Sequence, residues 1–222
     1  MVDVPEVKGS GFSAVGTGHV KQLPAPGEGM TAQQREVKTL VELRVPFQLL
    51  RQQIDDVERG ALDADWTPVK DAARRIAFAE DRAIFDGYAA AEIEGIRQAS
   101  SNAALILPTN AKAYPGAVVQ AVSELRLAGC NGPYALVLGA EAYTAANGGS
   151  DEGYPVFHHL ERIVDGGVVW APAISGAFVL TTRGGDFETG YRPGSFDRLS
   201  QPHRHNRRPL FPGDLHLPGA GH

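Results

Sequence analysis

At 222 residues, with 43% hydrophobic content and a formal net charge of −5, the chain is long enough for one or two domains and too mildly charged to suggest nucleic acid as its partner. No apolar run approaches the ~18 residues of a membrane span, and the start, MVDVPEVKGSGFSAVG, lacks the order of a secretory signal, so no membrane partner and a cytoplasmic location are expected. The single cysteine, Cys130, excludes an intrachain disulfide and a CxxC site and reads as a small, semi-buried apolar residue.

Residues 1–35 are rich in Gly, Pro, Ser and Thr with only short apolar doublets, which predicts a mobile arm or an extended hairpin that needs a neighbour for order. From Val37 the pattern alternates. Val37, Val41, Leu43, Val45, Phe47 and Leu49 share one parity, and Lys38, Glu42, Arg44 and Gln48 the other, which predicts a long half-buried strand. Pro46 cannot donate to a ladder, so that strand should have an edge or bulge there.

Thr67 is placed to cap a helix that begins at Pro68 and runs to about Gly87. Residues 65–88 carry five carboxylates and four basic groups. Asp71, Asp81, Asp86 and the arginines scatter round the polar arcs, which suits solvated ion pairs better than a convergent acid/base pair. Val69, Ala72, Ala73, Ile76, Ala83 and Ile84 form one apolar stripe, and Phe78 and Phe85 stand nearly opposite it. A helix with two apolar faces needs two packing partners. Glu80 falls within the stripe, so it is expected to find a hydrogen-bond donor or an ion-pair partner.

A helix is expected from about Pro115 to Ala128, with Gly129 as terminator, followed by a buried strand, YALVL, at 134–138. A small helix through AEAYTAA, a loop NGGSDEG, a helix from Pro155 to Val164 and strands around VVWAP and AFVLTT complete a mixed pattern. No regular βαβ repeat appears, which argues against a doubly wound sheet or barrel. Residues 189–222 hold five of the fifteen prolines, show no period, and are expected to be disordered or unpacked.

No motif for covalent or metal chemistry stands out. His158 and Glu161 have a spacing that some metal sites use, but nothing completes the ligand set, and exposure on a polar helix face explains them. His203 and His205 lie in the tail, where binding would carry the full ordering cost. GxSxG is absent, Cys130 has no evident His partner, and GTG at 16–18 and GEG at 27–29 lack the strand-then-helix setting of phosphate loops. The tail's five arginines against two aspartates are a charge bias without a platform for stacking bases.

Several blocks carry a likeness: VELRVPFQLLRQQIDDVERG (41–60), DWTPVKDAARRIAFAEDRAIFDGY (65–88), IEGIRQASSN (93–102), LRLAGCNGPYALVL (125–138) and GYPVFHHLERIVDGGVVWAPAISGAFVLTTRGGDFE (153–188). In that order, from about Met1 to Glu188, the chain resembles an encapsulin shell protein of the linocin type, related to the capsid protein of tailed phages. The resemblance implies an α+β, phage-capsid-like (HK97-type) fold. A P-domain with the spine helix would take 1–11 and 41–110, an E-loop 12–40 and an A-domain 111–188, with a divergent tail at 189–222. It implies a non-enzymatic homo-oligomer, an icosahedral shell enclosing cargo such as a dye-decolorising peroxidase or a ferritin-like protein, with no nucleic acid and no membrane partner. The alternatives are a bacteriocin- or protease-like soluble enzyme and a prophage capsid protein.

Laid on this chain, the resemblance places Asp151, Glu152, Gly153 and Tyr154 at a five-fold pore, where repeated carboxylates would favour cations. Asp3 stands where relatives place a cargo-contacting aspartate, and Phe78 and Phe85 become candidates for packing on a neighbouring subunit's E-loop or on another part of the P-domain. Gln52 stands where some relatives have a flavin-contacting aromatic, so no cofactor is expected. Relatives begin with a lumen-facing helix, and here Met1 already matches the segment after it. They also continue past GGDFE with apolar strands, where this chain has a Pro/His/Arg tail such as a frame shift would produce. The resemblance therefore leaves two outcomes open for this form, a subunit that closes into shells and a truncated or defective one.

Overall fold

A computed structural model of the chain describes residues 2–3, 13–185 and 187–188; the tail expectation for 189–222 lies outside them. After a two-residue strand β1 (Val2–Asp3), an antiparallel hairpin is formed by β2 (Ala14–Leu23) and β3 (Ala32–Thr39), running from Ala14 opposite Thr39 to Leu23 opposite Ala32. A register shift between Gly16 and Val20 marks a bulge. The extended-hairpin reading of the arm therefore holds for 14–39, and nearly every hairpin residue is exposed.

The long strand expected from Val37 is not formed, because β3 ends at Thr39 and residues 41–50 belong to no ladder among the described residues. The alternation itself is present: Val45, Phe47 and Leu49 are half-buried, and Arg44, Pro46, Gln48 and Leu50 are exposed. Period 2 specifies which side of an extended chain is apolar, but a strand also needs a hydrogen-bonded neighbour. None runs beside this ribbon among the described residues. A short helix α1 (Arg51–Glu58) follows it, with no buried residue.

Helix α2 (Thr67–Asp86) has Pro68 in its first turn, as its missing N–H and fixed φ favour. Its cap differs from expectation. Thr67 is already helical, and the Asp65 carboxylate accepts the Thr67 backbone N–H at 2.9 Å, so the aspartate two residues earlier satisfies the open donor. Hydrogen bonds from Thr67 hold the exposed Asp65 carboxyl below its usual range. Of the expected stripe only Ala72 is buried. Glu80 is exposed and needs no partner, which corrects the buried-carboxylate expectation. Its neighbour Asp81 is half-buried instead, and desolvation raises its pKa.

After a single turn, α3 (Ile96–Ala99), the chain enters its core. Helix α4 (Tyr114–Leu127) buries Tyr114, Val118 and Val122, spaced to lie along one face. It ends in a Schellman arrangement, Cys130 N–H to Leu125 O at 2.9 Å and Gly129 N–H to Arg126 O at 3.0 Å. Strand β4 (Tyr134–Leu138) is wholly buried at the centre of a three-stranded sheet, parallel to β7 (Val168–Trp170) and antiparallel to β8 (Ala177–Thr181). Between β4 and β7 lie α5 (Ala140–Gly148), a hairpin of β5 (Ser150–Asp151) and β6 (Tyr154–Pro155), and α6 (Val156–Ile163). A last strand, β9 (Phe187–Glu188), runs parallel to β1.

The two faces of β4 build two clusters. Tyr134, Leu136 and Leu138 meet Tyr114, Val118, Val122, Ala142, Ala146, Val156 and Leu160. Val137 meets Ala171 and Ile174, with Phe85, Phe178 and Leu180 against them. A strand buried on both faces must read as a continuous apolar run, as YALVL does. Mixed helix and strand, without a doubly wound sheet, agrees with the α+β expectation.

Candidate functional site

The segment read as a loop, NGGSDEG at 147–153, is instead the end of α5 followed by a hairpin, 150–155, that leads into α6. Gly149 closes α5; a Cβ there would lie 3.0 Å from Ala145 O and 3.2 Å from the Ala111 and Val156 side chains. Its carbonyl accepts the Val156 N–H at 3.0 Å, and Val156 and Leu160 are fully buried, which fixes where α6 begins. Between these points Ser150 pairs with Pro155 and Asp151 with Tyr154.

The turn at the tip is Glu152-Gly153, with φ of 48° and 87°. Positive φ at both central residues is the two-residue hairpin geometry whose twist matches the flanking strands. Glycine adopts it freely; Glu152 does so at a cost of about 1–2 kcal/mol. Asp151, Glu152, Gly153 and Tyr154 are all exposed, and neither carboxylate makes an ion pair among the described residues. The four residues expected at a pore are thus brought together on one projecting turn.

Behind the turn, the Tyr154 ring meets His159 edge-to-face at 4.5 Å and lies 6.2 Å from His158. His158 Nδ1 donates to Glu161 Oε2 at 2.9 Å, both side chains being about half exposed. The pair weighed as a metal fragment is an i,i+3 contact, and no group of three or more His, Cys, Asp or Glu residues able to hold a metal occurs among the described residues. The contact of Tyr154 with His159 had no sequence reading, because residues five apart across a strand-to-helix turn share no strand or helix period.

The other candidates are scattered. Asp3 sits in β1 with its backbone paired to Glu188. Phe78 is half-buried on α2. Phe85, half-buried, stacks on Phe178 of its own chain with centroids 4.9 Å apart. Arg97 locks this junction: it pairs with Asp86 at 2.8 Å, donates to Ser175 O at 3.1 Å and lies 4.6 Å from the Phe178 centroid. Arg82 donates to Ala173 O at 3.1 Å. Arg82 and Asp86, read as solvated charges, are therefore partly structural. Cys130 is half-buried, as read.

Large apolar groups stand in solvent elsewhere: Val20, Met30, Val37, Val41, Leu43 and Leu50 on the hairpin and ribbon, and Val169 and Trp170 on the sheet-edge strand β7. Their exposure leaves apolar area that another surface could cover. No helix among the described residues is long and apolar enough to cross a membrane.

Comparison with known proteins gives one consistent likeness. Residues 1–190 match the family model described as encapsulating protein for peroxidase. Over 188 residues, 85% of this chain, the sequence is 57% identical to the type 1 encapsulin shell protein of Mycobacterium tuberculosis, covering 71% of that protein. The same coverage gives 56% identity to the type 1 encapsulin shell protein of Rhodococcus erythropolis. That of Brevibacterium linens is 48% identical over 189 residues, again 85% of this chain and 71% of the relative.

Proposed function

This chain belongs to the encapsulin shell protein family, whose members are structural and not catalytic, and from that premise we propose that it is a subunit of a self-assembling icosahedral container. The supporting observation is the β2–β3 hairpin with the segment that follows it: among the described residues this arm pairs with no other strand and leaves Val20, Met30, Val37, Val41, Leu43 and Leu50 exposed. Burial of apolar surface by sister copies, at about 25 cal/mol per Å², is the drive such an arm supplies.

On this reading the chain has a phage-capsid-like fold. Residues 12–40 are the E-loop, 1–11 and 41–110 the P-domain with α2 as its spine, and 111–188 the A-domain. The projecting turn at Asp151, Glu152, Gly153 and Tyr154 lines a five-fold pore, where uncompensated carboxylates favour cations. Phe78 and the remaining surface of Phe85 pack on a neighbouring subunit's E-loop or on another part of the P-domain, and Asp3 contacts cargo, a dye-decolorising peroxidase or a ferritin-like protein held in the cytoplasm.

Negative-stain electron microscopy of the purified 222-residue chain, alone and co-expressed with a peroxidase cargo, tests this. Closed particles of uniform diameter are the expected result, and Val20→Asp with Val37→Asp should abolish them while the chain stays folded. Monomers or amorphous aggregates from the unsubstituted chain overturn the proposal.

A further inference from the structure

The chain has two Asn-Gly dyads, Asn131-Gly132 and Asn147-Gly148, and they stand in opposite surroundings. In such a pair the glycine nitrogen can attack the preceding side-chain amide with little obstruction, because glycine has no Cβ. Asn147 lies in α5 with Nδ2 donating to Tyr143 O at 3.0 Å, and Gly148 ends that helix, where a backbone N–H is committed to the carbonyl four residues back. Asn131 is exposed between α4 and β4. Neither its side-chain amide nor the Gly132 N–H makes a hydrogen bond among the described residues.

The carbonyl that joins the two residues is polarised. Thr181, on β8, donates its hydroxyl to Asn131 O at 2.9 Å from 50 positions away, so this contact exists only in the folded chain. That oxygen belongs to the same peptide group as the Gly132 nitrogen. A donor there stabilises the anion formed when the nitrogen gives up its proton, in the manner of an oxyanion hole. We propose that Asn131-Gly132 is a site of self-modification, at which the Thr181 hydroxyl assists closure of a succinimide that water then opens to a carboxylate. The proposal does not depend on the shell reading.

The Gly132 nitrogen loses its proton to hydroxide, bonds to Asn131 Cγ and expels the side-chain nitrogen as ammonia. Water adding at Cγ breaks the new bond and leaves aspartate at position 131. Water adding at the main-chain carbonyl carbon breaks the original peptide bond and leaves isoaspartate, linked through Cγ. Either route consumes one water and releases one ammonia. The isoaspartyl product lengthens the main chain by one carbon between two held carbonyls, Asn131 O and Pro133 O, the second accepting from Thr182 N–H at 2.8 Å and Thr182 Oγ1 at 3.2 Å. Tyr134, the first residue of the buried strand β4, follows directly, so the reaction loosens the tether of the central strand as the chain ages.

Peptide mass mapping of the full chain, held folded in mildly alkaline buffer, measures the reaction. The Asn131 peptide should gain one mass unit about ten-fold faster than the Asn147 peptide, because α5 must open before Asn147 reacts. Thr181→Val keeps the side-chain shape without the hydroxyl. It should slow Asn131 on the order of five-fold and leave Asn147 unchanged, and Thr181→Ser should restore the parent rate. In urea the two dyads should converge, and Thr181→Val should lose its effect. If the valine variant does not fold, the parent decides, since Asn131 must react at least as fast folded as in urea. Equal rates at the two dyads of the folded chain, or a folded Thr181→Val rate equal to the parent's, overturns the inference. So does slower conversion of Asn131 folded than unfolded, or scission after Asn131, which would make the polarised carbonyl the electrophile.

Discussion

From Tyr114 to Thr181 the chain satisfies itself: β4 is buried on both faces, three helices seal one side, and Leu136 and Leu160 have no solvent exposure. From Ala14 to Leu50 it does the opposite, with a hairpin and ribbon whose Val37 stays 55% exposed and Leu50 69%. Both stretches carry apolar residues at strand spacing, so composition does not separate them. Closure does: one segment returns over its own sheet through α5 and α6, while the other has no second layer among the described residues. Intrinsic stability should therefore reside in 114–181, and the hairpin should matter to association.

The comparison breaks most readily at the centre. Leu136→Ala removes a fully buried side chain and should cost about 2–5 kcal/mol. The same kind of truncation at Val37, Val37→Ala, should change unfolding free energy by under about 0.5 kcal/mol. Urea denaturation of both variants decides it; equal losses would mean that the hairpin is part of the folding unit. Next in size is Gly139→Ala. A Cβ there would run into Ile174 O and lie 3.2 Å from Gly176 O, backbone atoms that cannot swing aside. A loss of about 1–3 kcal/mol is expected, and an unchanged denaturation midpoint would show that the 171–176 segment yields.

Arg97→Ala sharpens the boundary between the regions. It removes the Asp86 ion pair, the Ser175 carbonyl bond and the stack on Phe178 together, at a half-exposed site. About 1 kcal/mol is expected. Hydrogen exchange should show the loss as faster opening of the C-terminal turns of α2, with β4 unchanged.

Elements closed by near neighbours were legible. YALVL, the helices at 114–127 and 156–163 and the strands at 168 and 177 follow from local period and breakers. What failed depended on distant chain. Whether 40–50 becomes a strand turns on a neighbour that period 2 cannot supply, and Glu80 stays dry or wet according to what lies over α2. Arg97 and Phe178 meet across 81 positions, leaving no local trace. Of the candidate site, the acidic tip was readable from DEGY and the family likeness. The turn geometry needed the φ values, and the His159 contact needed the direction in which α6 leaves the hairpin.

The smallest effect tests a long helix with a single buried residue. Asp81 is half-buried on α2 and its carboxyl is raised by desolvation alone, so the folded state holds that proton more tightly than the unfolded chain does. Stability rises with pH only where the unfolded state binds more protons, and here the folded state binds more. The Asp81 contribution must therefore decline as pH rises from the ordinary aspartate value through the raised one, leaving a fixed penalty at neutral pH. Asp81→Asn removes the charge but keeps the size. It should raise the thermal midpoint slightly at pH 7, and the difference should vanish below about pH 2.5, where the aspartate is protonated in both the folded and the unfolded chain. Scans of both proteins across that range check the sign. A variant less stable than the parent at pH 7 would mean that the Asp81 charge is compensated, and that in solution α2 is covered by a cationic surface absent from the single chain.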